Sequence, residues 1–488
     1  MFQIDFNHPL HVYFVGIGGI SMSGLAQILA KEGFTVSGSD RAESPITQRL
    51  EASGIRVLIG QRRENITDDI DLVVFTAAIH PDNPEYAAVM EKGIPYLNRA
   101  ELLGQLMKNY RLPVAISGTH GKTTTTSMLS EILLAADADP TLSVGGILPS
   151  IGGNVRVGGN NYFVAEACEY TNSFLSMFPK IGIILNIEED HLDFFKDLAD
   201  IRHSFHRFSG LVPEDGAVII NTAIENWQEI VEGTGCRIIP IGMEAPAEPA
   251  DGSAASDQSV QTDSHSGISA SGFRSAYYPT DITYDEWGHP SFMLHGPSEY
   301  GPSVRIALHV PGIHNVGNAI AAIAAADLMG ISRADIAKGL AAFSGTDRRF
   351  QYKGVKNGFT IIDDYAHHPT EIEATLRAAK ACPHDRIVCV FQPHTYSRTK
   401  SLLQGFAKAL SHADIVILAD IYAARETDTL GISSETLGEE IRRLGHECLY
   451  FPDFSEIENF ILANCRKGDL VITMGAGNVD QIADHLLS

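Results

Sequence analysis

The sequence predicts an α/β chain of three domains: an N-terminal Rossmann-like sheet, a central P-loop ATPase-type α/β domain and a C-terminal Rossmann-like domain. Three observations predict it. The chain has 488 residues, and at about 150 residues per domain that length suggests three. Short apolar runs alternate with helical periodicity in the first and last thirds, the pattern of parallel sheets covered by helices. Between them, Val114 to Thr126 passes from an apolar strand through a glycine loop into an apolar-periodic helix. Boundaries are expected at 1–109, 110–343 and 344–488.

The first domain opens on a strand, 11–15, a glycine loop (Gly16, Gly18, Gly19, Ser21) and a helix through Leu25, Ile28 and Leu29. A second strand, 35–40, ends in Asp40, at about the offset where a dinucleotide fold binds a ribose hydroxyl. A strand at 71–76, a helix at 85–92, a strand at 94–97 and a helix at 98–110 complete the alternation. Ser21 stands where a dinucleotide fingerprint needs its third glycine, so the loop is read as the seat of some other pyrophosphate in preference to NAD.

The second domain carries the phosphate loop Gly118-Thr119-His120-Gly121-Lys122-Thr123-Thr124. Ile116 stands where the longer Walker pattern has glycine, leaving the short G-x-x-G-K-T form. Main-chain N–H groups and the positive end of the helix dipole face an anion in such a loop. Lys122 reaches the terminal phosphates and the Thr123 hydroxyl can hold Mg²⁺, so a nucleoside triphosphate is the expected ligand. Ser143 to Gly146 is read as a glycine turn. Two strands, 161–166 and 181–186, run into the acidic clusters Glu166/Glu169 and Glu188 to Asp193. Hard oxygen ligands at strand ends beside a phosphate loop suit Mg²⁺. Residues 244–271 are low-complexity and nearly free of large apolar side chains, an expected disordered insertion. His314 and Asn315 open a helix at 319–329 as caps or as adenine contacts.

The third domain is expected from Gly345 to Phe350, with strands at 360–365, 386–391, 414–418 and 469–474 and a helix at 372–381. His367, His368 and His394 could make a zinc site by count. With Arg348, Arg349 and Arg398 beside them and no cysteine set, they suit phosphate or carboxylate recognition better.

Composition bounds the partners. Sixty acidic against 36 basic residues give a formal charge of −24, which disfavours nucleic acid and anionic membrane as broad-surface partners. Hydrophobic content of 44% and charged content of 20% are ordinary for a globular chain. Six cysteines without CxxC spacing read as reduced thiols. No run approaches about 18 apolar residues and no secretory leader is legible, so a cytoplasmic protein is expected.

In this order, Gly16 to Gly24, Gly118 to Thr124, Glu166-Ala-Cys-Glu-Tyr170, Asn186-Ile-Glu-Glu-Asp-His191, His314-Asn315, Arg348-Arg-Phe350, Asp363 to Glu371 and Phe391-Gln-Pro-His394 resemble the Mur ligase family, and within it the alanine-adding branch. The resemblance covers nearly the whole chain outside 244–271. It implies ATP-dependent joining of L-alanine to the lactyl carboxylate of UDP-N-acetylmuramate through an acyl phosphate, with ATP and two Mg²⁺. The N-terminal loop would take the nucleotide-sugar pyrophosphate. Lys122 would contact the β- and γ-phosphates, with Thr123 and Glu166 on one Mg²⁺ and His191 on a second. Asn315 would lie against adenine, Arg349 and Asp364 would close over the triphosphate, and Tyr365, His368, His394 and Arg398 would form the amino-acid end. Lys122, His191, Arg349 and His368 are the expected catalytic set, with His368 as proton acceptor. A monomer or weak homodimer is expected.

Three departures stand out. Thr395 replaces an arginine often found after the Phe-Gln-Pro-His motif, and Arg425 falls where a glycine is expected. Residues 201–207 hold no lysine, which agrees with the alanine-adding branch. The competing readings are a sister ligase that adds a tripeptide, an NAD-dependent oxidoreductase and a nucleotide-switch module.

Overall fold

The computed structural model describes residues 2–76, 78–245, 275–424, 426–427 and 430–488. The low-complexity stretch lies outside the described residues from 246 onward, and so does Arg425. Among the described residues, no helix is long and apolar enough to cross a membrane.

Three parallel-strand sheets carry the chain. The first has five parallel strands in the order Arg56–Ile59, Thr35–Asp40, His11–Val15, Leu72–Phe75, Tyr96–Asn98. Order reverses at His11–Val15, so the glycine loop after Val15 opens at the switch point where such sheets bind ligands. The second has seven strands, ordered Arg237–Ile241, Ala217–Asn221, Ile181–Ile184, Leu112–Ser117, Tyr162–Glu166, Thr141–Leu148, Gly153–Arg156. Only the last pairs antiparallel. Leu112–Ser117, which feeds the phosphate loop, sits between the two strands that lead to the acidic clusters. The third sheet has six strands, parallel except for the edge strand Gln351–Lys356, with Phe359–Asp364, Asp469–Met474 and Arg386–Phe391 at its centre. Strands such as Ile181–Ile184 and Ile415–Leu418 are buried throughout, as β-branched runs covered on both faces require.

Several boundaries differ from the sequence reading. Ser143 to Gly146 is strand, not turn: Thr141–Leu148 runs through it. Gly145 lets the Glu166 carboxylate approach the strand closely: a Cβ there would lie 2.4 Å from one of its oxygens. The fourth helix is Arg99–Met107, capped by an Asn98/Glu101 box, and the strand before it starts at Tyr96 rather than 94. The alanine-rich helix begins at His314, earlier than position 319. A three-stranded antiparallel sheet, Tyr278–Tyr284, Pro290–His295 and Val304–Ala307, was not foreseen, because its alternation is short and its flank is low-complexity.

The phosphate-loop helix Lys122–Ala135 is buried among the helices His314–Leu328 and Arg333–Ala342. At the second contact Gly339 lies so close that a Cβ would fall 2.4 Å from Ile132 Cα and 2.7 Å from Ile132 N. Replacing a mid-helix glycine by alanine ordinarily gains up to about 1 kcal/mol. Here the obstacle is backbone, so overpacking of about 1–3 kcal/mol reverses the sign. Gly339→Ala should therefore lower the urea midpoint of unfolding; an unchanged or raised midpoint would show that the two helices can separate freely.

Candidate active site

The phosphate loop is shaped by two glycines with positive φ. Gly118 (φ +144°) passes Leu185 and Asn186, where a Cβ would lie 2.9 Å from Leu185 Cβ, and Gly121 (φ +82°) caps the helix. The acidic loop after Ile181–Ile184 is stitched onto it. His120 N–H donates to Asn186 Oδ1 (2.7 Å) and Asn186 Nδ2 donates to His120 O (3.0 Å). Glu188 N–H donates to Thr119 Oγ1 (2.9 Å).

Lys122 is the buried cation of the site. Its Nζ donates to Glu169 (3.0 and 3.3 Å) and to Thr119 O (3.0 Å). Burial presses the ammonium towards neutrality, but Glu169, with Cys168 and Glu166 behind it, more than offsets this and raises its pKa. Burial likewise opposes the Glu169 carboxylate, and Lys122 and His191 outweigh it, so that acid stays ionised. His191 Nε2 lies 3.6 Å from Glu169 and 3.7 Å from Asp190, with its ring stacked on Tyr170 at 4.4 Å. Its φ of +54° is a strained setting for a non-glycine residue, and it aims the imidazole at the acids.

Glu166 differs from Glu169. It accepts from Gly145 N–H and from Thr123, and burial raises its pKa because those donors, Lys122 and Arg349 compensate only in part. A buried carboxylate with a hydroxyl beside it and incomplete charge compensation is the donor chemistry that Mg²⁺ takes. Thr123 and Glu166 therefore fit a magnesium ion, and His191 with Glu169 offers a second set.

Two cavities lie on either side of the acidic loop and the end of strand Phe359–Asp364. The smaller, about 360 Å³, is lined by His120, Gly121, Thr123 and Thr124 on the phosphate side and by Met243, Pro311, Ile313 and Phe343 on an apolar wall. The larger, about 1080 Å³, is lined by Gly19 and Ser21 of the N-terminal loop, Tyr170 and His191 of the central domain, and His394 and Arg398 of the third. Consecutive residues face opposite sides: Glu188 and Asp364 line the first, Glu189 and Tyr365 the second. A triphosphate in one and an acceptor in the other would meet at the partition.

The third sheet supplies the far wall. Arg348 and Phe350 have positive φ (+61° and +48°). Arg348 is spent on structure, bound to Asp363 (3.1 Å) and to the Gly475 and Gly477 carbonyls. Arg349 instead enters the smaller cavity, reaches Thr123 Oγ1 at 3.5 Å and lies 5.1 Å from the Tyr365 ring centroid. Asp364 accepts from Phe350 N–H (2.7 Å) and Ala366 N–H (2.8 Å), fixing that loop, and burial lifts its pKa to about 6 despite Arg349. Arg398 crosses to the central domain, pairing with Asp190 at 3.0 Å and donating to His394 Nδ1 at 3.2 Å. Burial opposes the Asp190 carboxylate, but Arg398 together with His191, His367 and His368 outweighs it and holds its pKa well below the usual range.

Most expected residues converge, but His368, Asp40, Gly16 and Gly18 stand otherwise than expected. His368 has both ring nitrogens engaged, so neither is free to take a proton. Its Nδ1 accepts from Thr370 N–H as the cap of helix Pro369–Ala381, and its Nε2–H donates to Glu189 O (3.1 Å). His367, which lines the larger cavity, donates from Nδ1 to Tyr365 O (3.0 Å) and leaves Nε2 as an acceptor; burial lowers its pKa to about 4. Asp40 does not line the larger cavity but accepts Gly18 N–H at 2.8 Å, so it shapes the glycine loop. Gly16 and Gly18 do not line that cavity either. Asn315 bonds Pro311 O (2.8 Å) and Asn318 (3.1 Å) while lining the smaller cavity, so it braces the turn from within the helix. The sequence reading gave Glu169 and Asp190 only as members of acidic clusters and His367 only as one of a histidine group, and it assigned Glu371 no individual role.

Three family models match in succession: "Mur ligase family, catalytic domain" over residues 11–111, "Mur ligase middle domain" over 116–326, and "Mur ligase, glutamate ligase domain" over 348–477. The chain is 56% identical to a UDP-N-acetylmuramate–L-alanine ligase of Lachnospira eligens and 55% identical to one of Agathobacter rectalis, with all of each chain covered. Among solved structures, it resembles the UDP-N-acetylmuramate–alanine ligase of Thermotoga maritima (TM-score 0.75, 28% identity, 98% of each chain). It also resembles a murein peptide ligase of Psychrobacter arcticus (TM-score 0.66, 25% identity, 98% of each chain). Identity over its full length to curated relatives, and family models along all three sheets, make this chain a member of the Mur ligase family.

Proposed function

We propose that the protein is an ATP-dependent ligase that joins L-alanine to the lactyl carboxylate of UDP-N-acetylmuramate, in peptidoglycan precursor synthesis in the cytoplasm. The observation that carries this reading is the partition: beside a phosphate loop with a buried lysine, Glu188/Glu189 and Asp364/Tyr365 separate a nucleotide-sized cavity, which that loop lines, from a larger one lined by residues of all three domains. In this reading residues 1–109 receive the nucleotide sugar, 110–343 the ATP, and 344–488 close over both and hold the amino acid.

The chemistry needs cations more than acids and bases, because an anionic carboxylate must approach an anionic phosphate. Lys122 and Arg349 draw the γ-phosphate towards the partition, and the carboxylate oxygen forms a bond to phosphorus as the bond to ADP breaks. Magnesium held by Thr123 and Glu166, with a second ion at His191, would supply further neutralisation of the phosphates. The neutral amine of alanine then attacks the acyl carbon, phosphate leaves with its oxygen, and the ammonium proton is released. His367 Nε2 is the acceptor the geometry favours. Tyr365 and His394 complete that end, and Arg398 holds the acidic loop against it. Glycine loop residues Gly19 and Ser21 hold the pyrophosphate end.

The rival that adds a tripeptide rests on likeness to the murein peptide ligase, which is weaker in identity and TM-score than the likeness to alanine ligases. Incubation with UDP-N-acetylmuramate, ATP, Mg²⁺ and either L-alanine or the tripeptide decides between them. Alanine-dependent ADP release is expected; release with the tripeptide alone would overturn the assignment. Lys122→Ala should remove ADP release, and wild-type turnover in that variant would contradict the phosphate-loop role. His367→Asn should lower kcat by about 10²–10³, the scale of a lost proton acceptor. His368→Ala should chiefly lower thermal stability by about 1 kcal/mol through loss of the helix cap. Equal kcat losses in both would return His368 to the catalytic set.

A further inference from the structure

His120 lies in the phosphate loop, yet its side chain faces the C-terminal domain. Its Nδ1 is 3.1 Å from Glu371 Oε1, in the first turn of helix Pro369–Ala381, and its Nε2 is 3.5 Å from Glu188 Oε2, in the acidic loop. The His368 ring lies 4.9 Å from it. Glu188 also accepts from Thr370 Oγ1 at 2.7 Å, and the other oxygen of Glu371 accepts from His367 N–H at 3.0 Å. The imidazole is 13% exposed and Glu371 14%. Two carboxylates from two domains thus close on one buried ring, whose main chain is pinned on both sides by Asn186.

Two carboxylates facing one imidazole call for a proton on it. His120, Glu188 and His368 also have ligand atoms within 4.8 Å of one another, a possible metal set. However, both ring nitrogens of His368 are engaged, by Thr370 N–H and by Glu189 O, so this site is built to hold a proton.

We propose that His120 is a positioning residue that couples closure of the C-terminal domain to the phosphate loop, through an imidazolium shared by Glu188 and Glu371. Glu371 reaches the phosphate loop from the C-terminal domain, so the contact exists only while that domain lies against the loop as it does here. Its pull on His120 steadies the loop backbone that would wrap the phosphates, so nucleotide affinity senses Glu371 through His120. The groups facing the imidazole are Glu188, Glu371 and His368; Arg349 and His367 in turn face Glu371. Burial lowers the His120 pKa, but Glu371 and Glu188 outweigh it and raise it to about 9. The ordinary value is about 6.5. The contact is therefore complete below about 6.5 and lost as pH rises through about 9.

This inference extends the ligase reading, but its test does not require turnover. Mg-ADP affinity of the full chain is measured by calorimetry in wild type, Glu371→Gln, His120→Asn and the double variant. Glu371→Gln should weaken binding about tenfold in the wild-type background and leave it unchanged or tighter in His120→Asn, a coupling of the size double-mutant cycles find for contacting groups. The ratio of wild-type to Glu371→Gln affinity should shrink towards one between about pH 6.5 and 9.5. Equal effects of Glu371→Gln in both backgrounds, or no effect in either, would overturn the proposal. Should His120→Asn fail to fold, the pH dependence of the wild-type to Glu371→Gln ratio decides alone, and a pH-independent ratio overturns it. Failure of the ligase reading would instead show as absent alanine-dependent ADP release with this coupling intact.

Discussion

The site depends on a buried ammonium held between a helix N-terminus and one carboxylate. Lys122 and Glu169 are both taken from water, and the gain in attraction must offset a desolvation penalty of several kcal/mol per ion. It does so because the lysine also donates to loop carbonyls and Glu169 also faces His191. Such a pair adds little net stability, yet removal of either partner leaves a buried charge alone. That constraint fixes the loop, and through Asn186 and Thr119 it fixes the acidic loop as well.

The acidic loop then organises what surrounds it. Glu188, Glu189 and Asp190 each meet a different part of the third domain: Thr370, His368 and Arg398. Glu188 faces the smaller cavity, Glu189 and Asp190 line the larger one, and the main-chain carbonyl of Glu189 meets His368 at the domain seam. The partition between the cavities follows from that geometry. The same loop puts His191 in a positive-φ setting, strain that the surrounding contacts must sustain.

Much of this was legible from residues alone. The strand, glycine loop and helix at 112–135 follow from local chemistry, since only glycine accepts the φ of positions 118 and 121 without strain. Acids at strand ends mark the crevice because parallel strands in one sheet share a C-terminal edge. Pairings across domains were not legible. His120 and Glu371 are 251 positions apart, and Asp190 and Arg398 are 208 apart. Periodicity carries no information over such distances. His367 and His368 show the limit at short range too: adjacent residues of one type face a cavity and a helix cap, and only φ/ψ separates them. Asp40 misled because its offset suits a ribose contact, while the loop it follows claims its oxygen first.

The central claim is that the loop delivers a phosphoryl group to a carboxylate across the partition. The most direct measurement supplies UDP-N-acetylmuramate labelled with ¹⁸O in its lactyl carboxylate, together with ATP and L-alanine, and analyses the released phosphate by mass. Transfer through an acyl phosphate predicts one labelled oxygen in each phosphate formed. Phosphate free of that label, with amide still produced, would contradict the account.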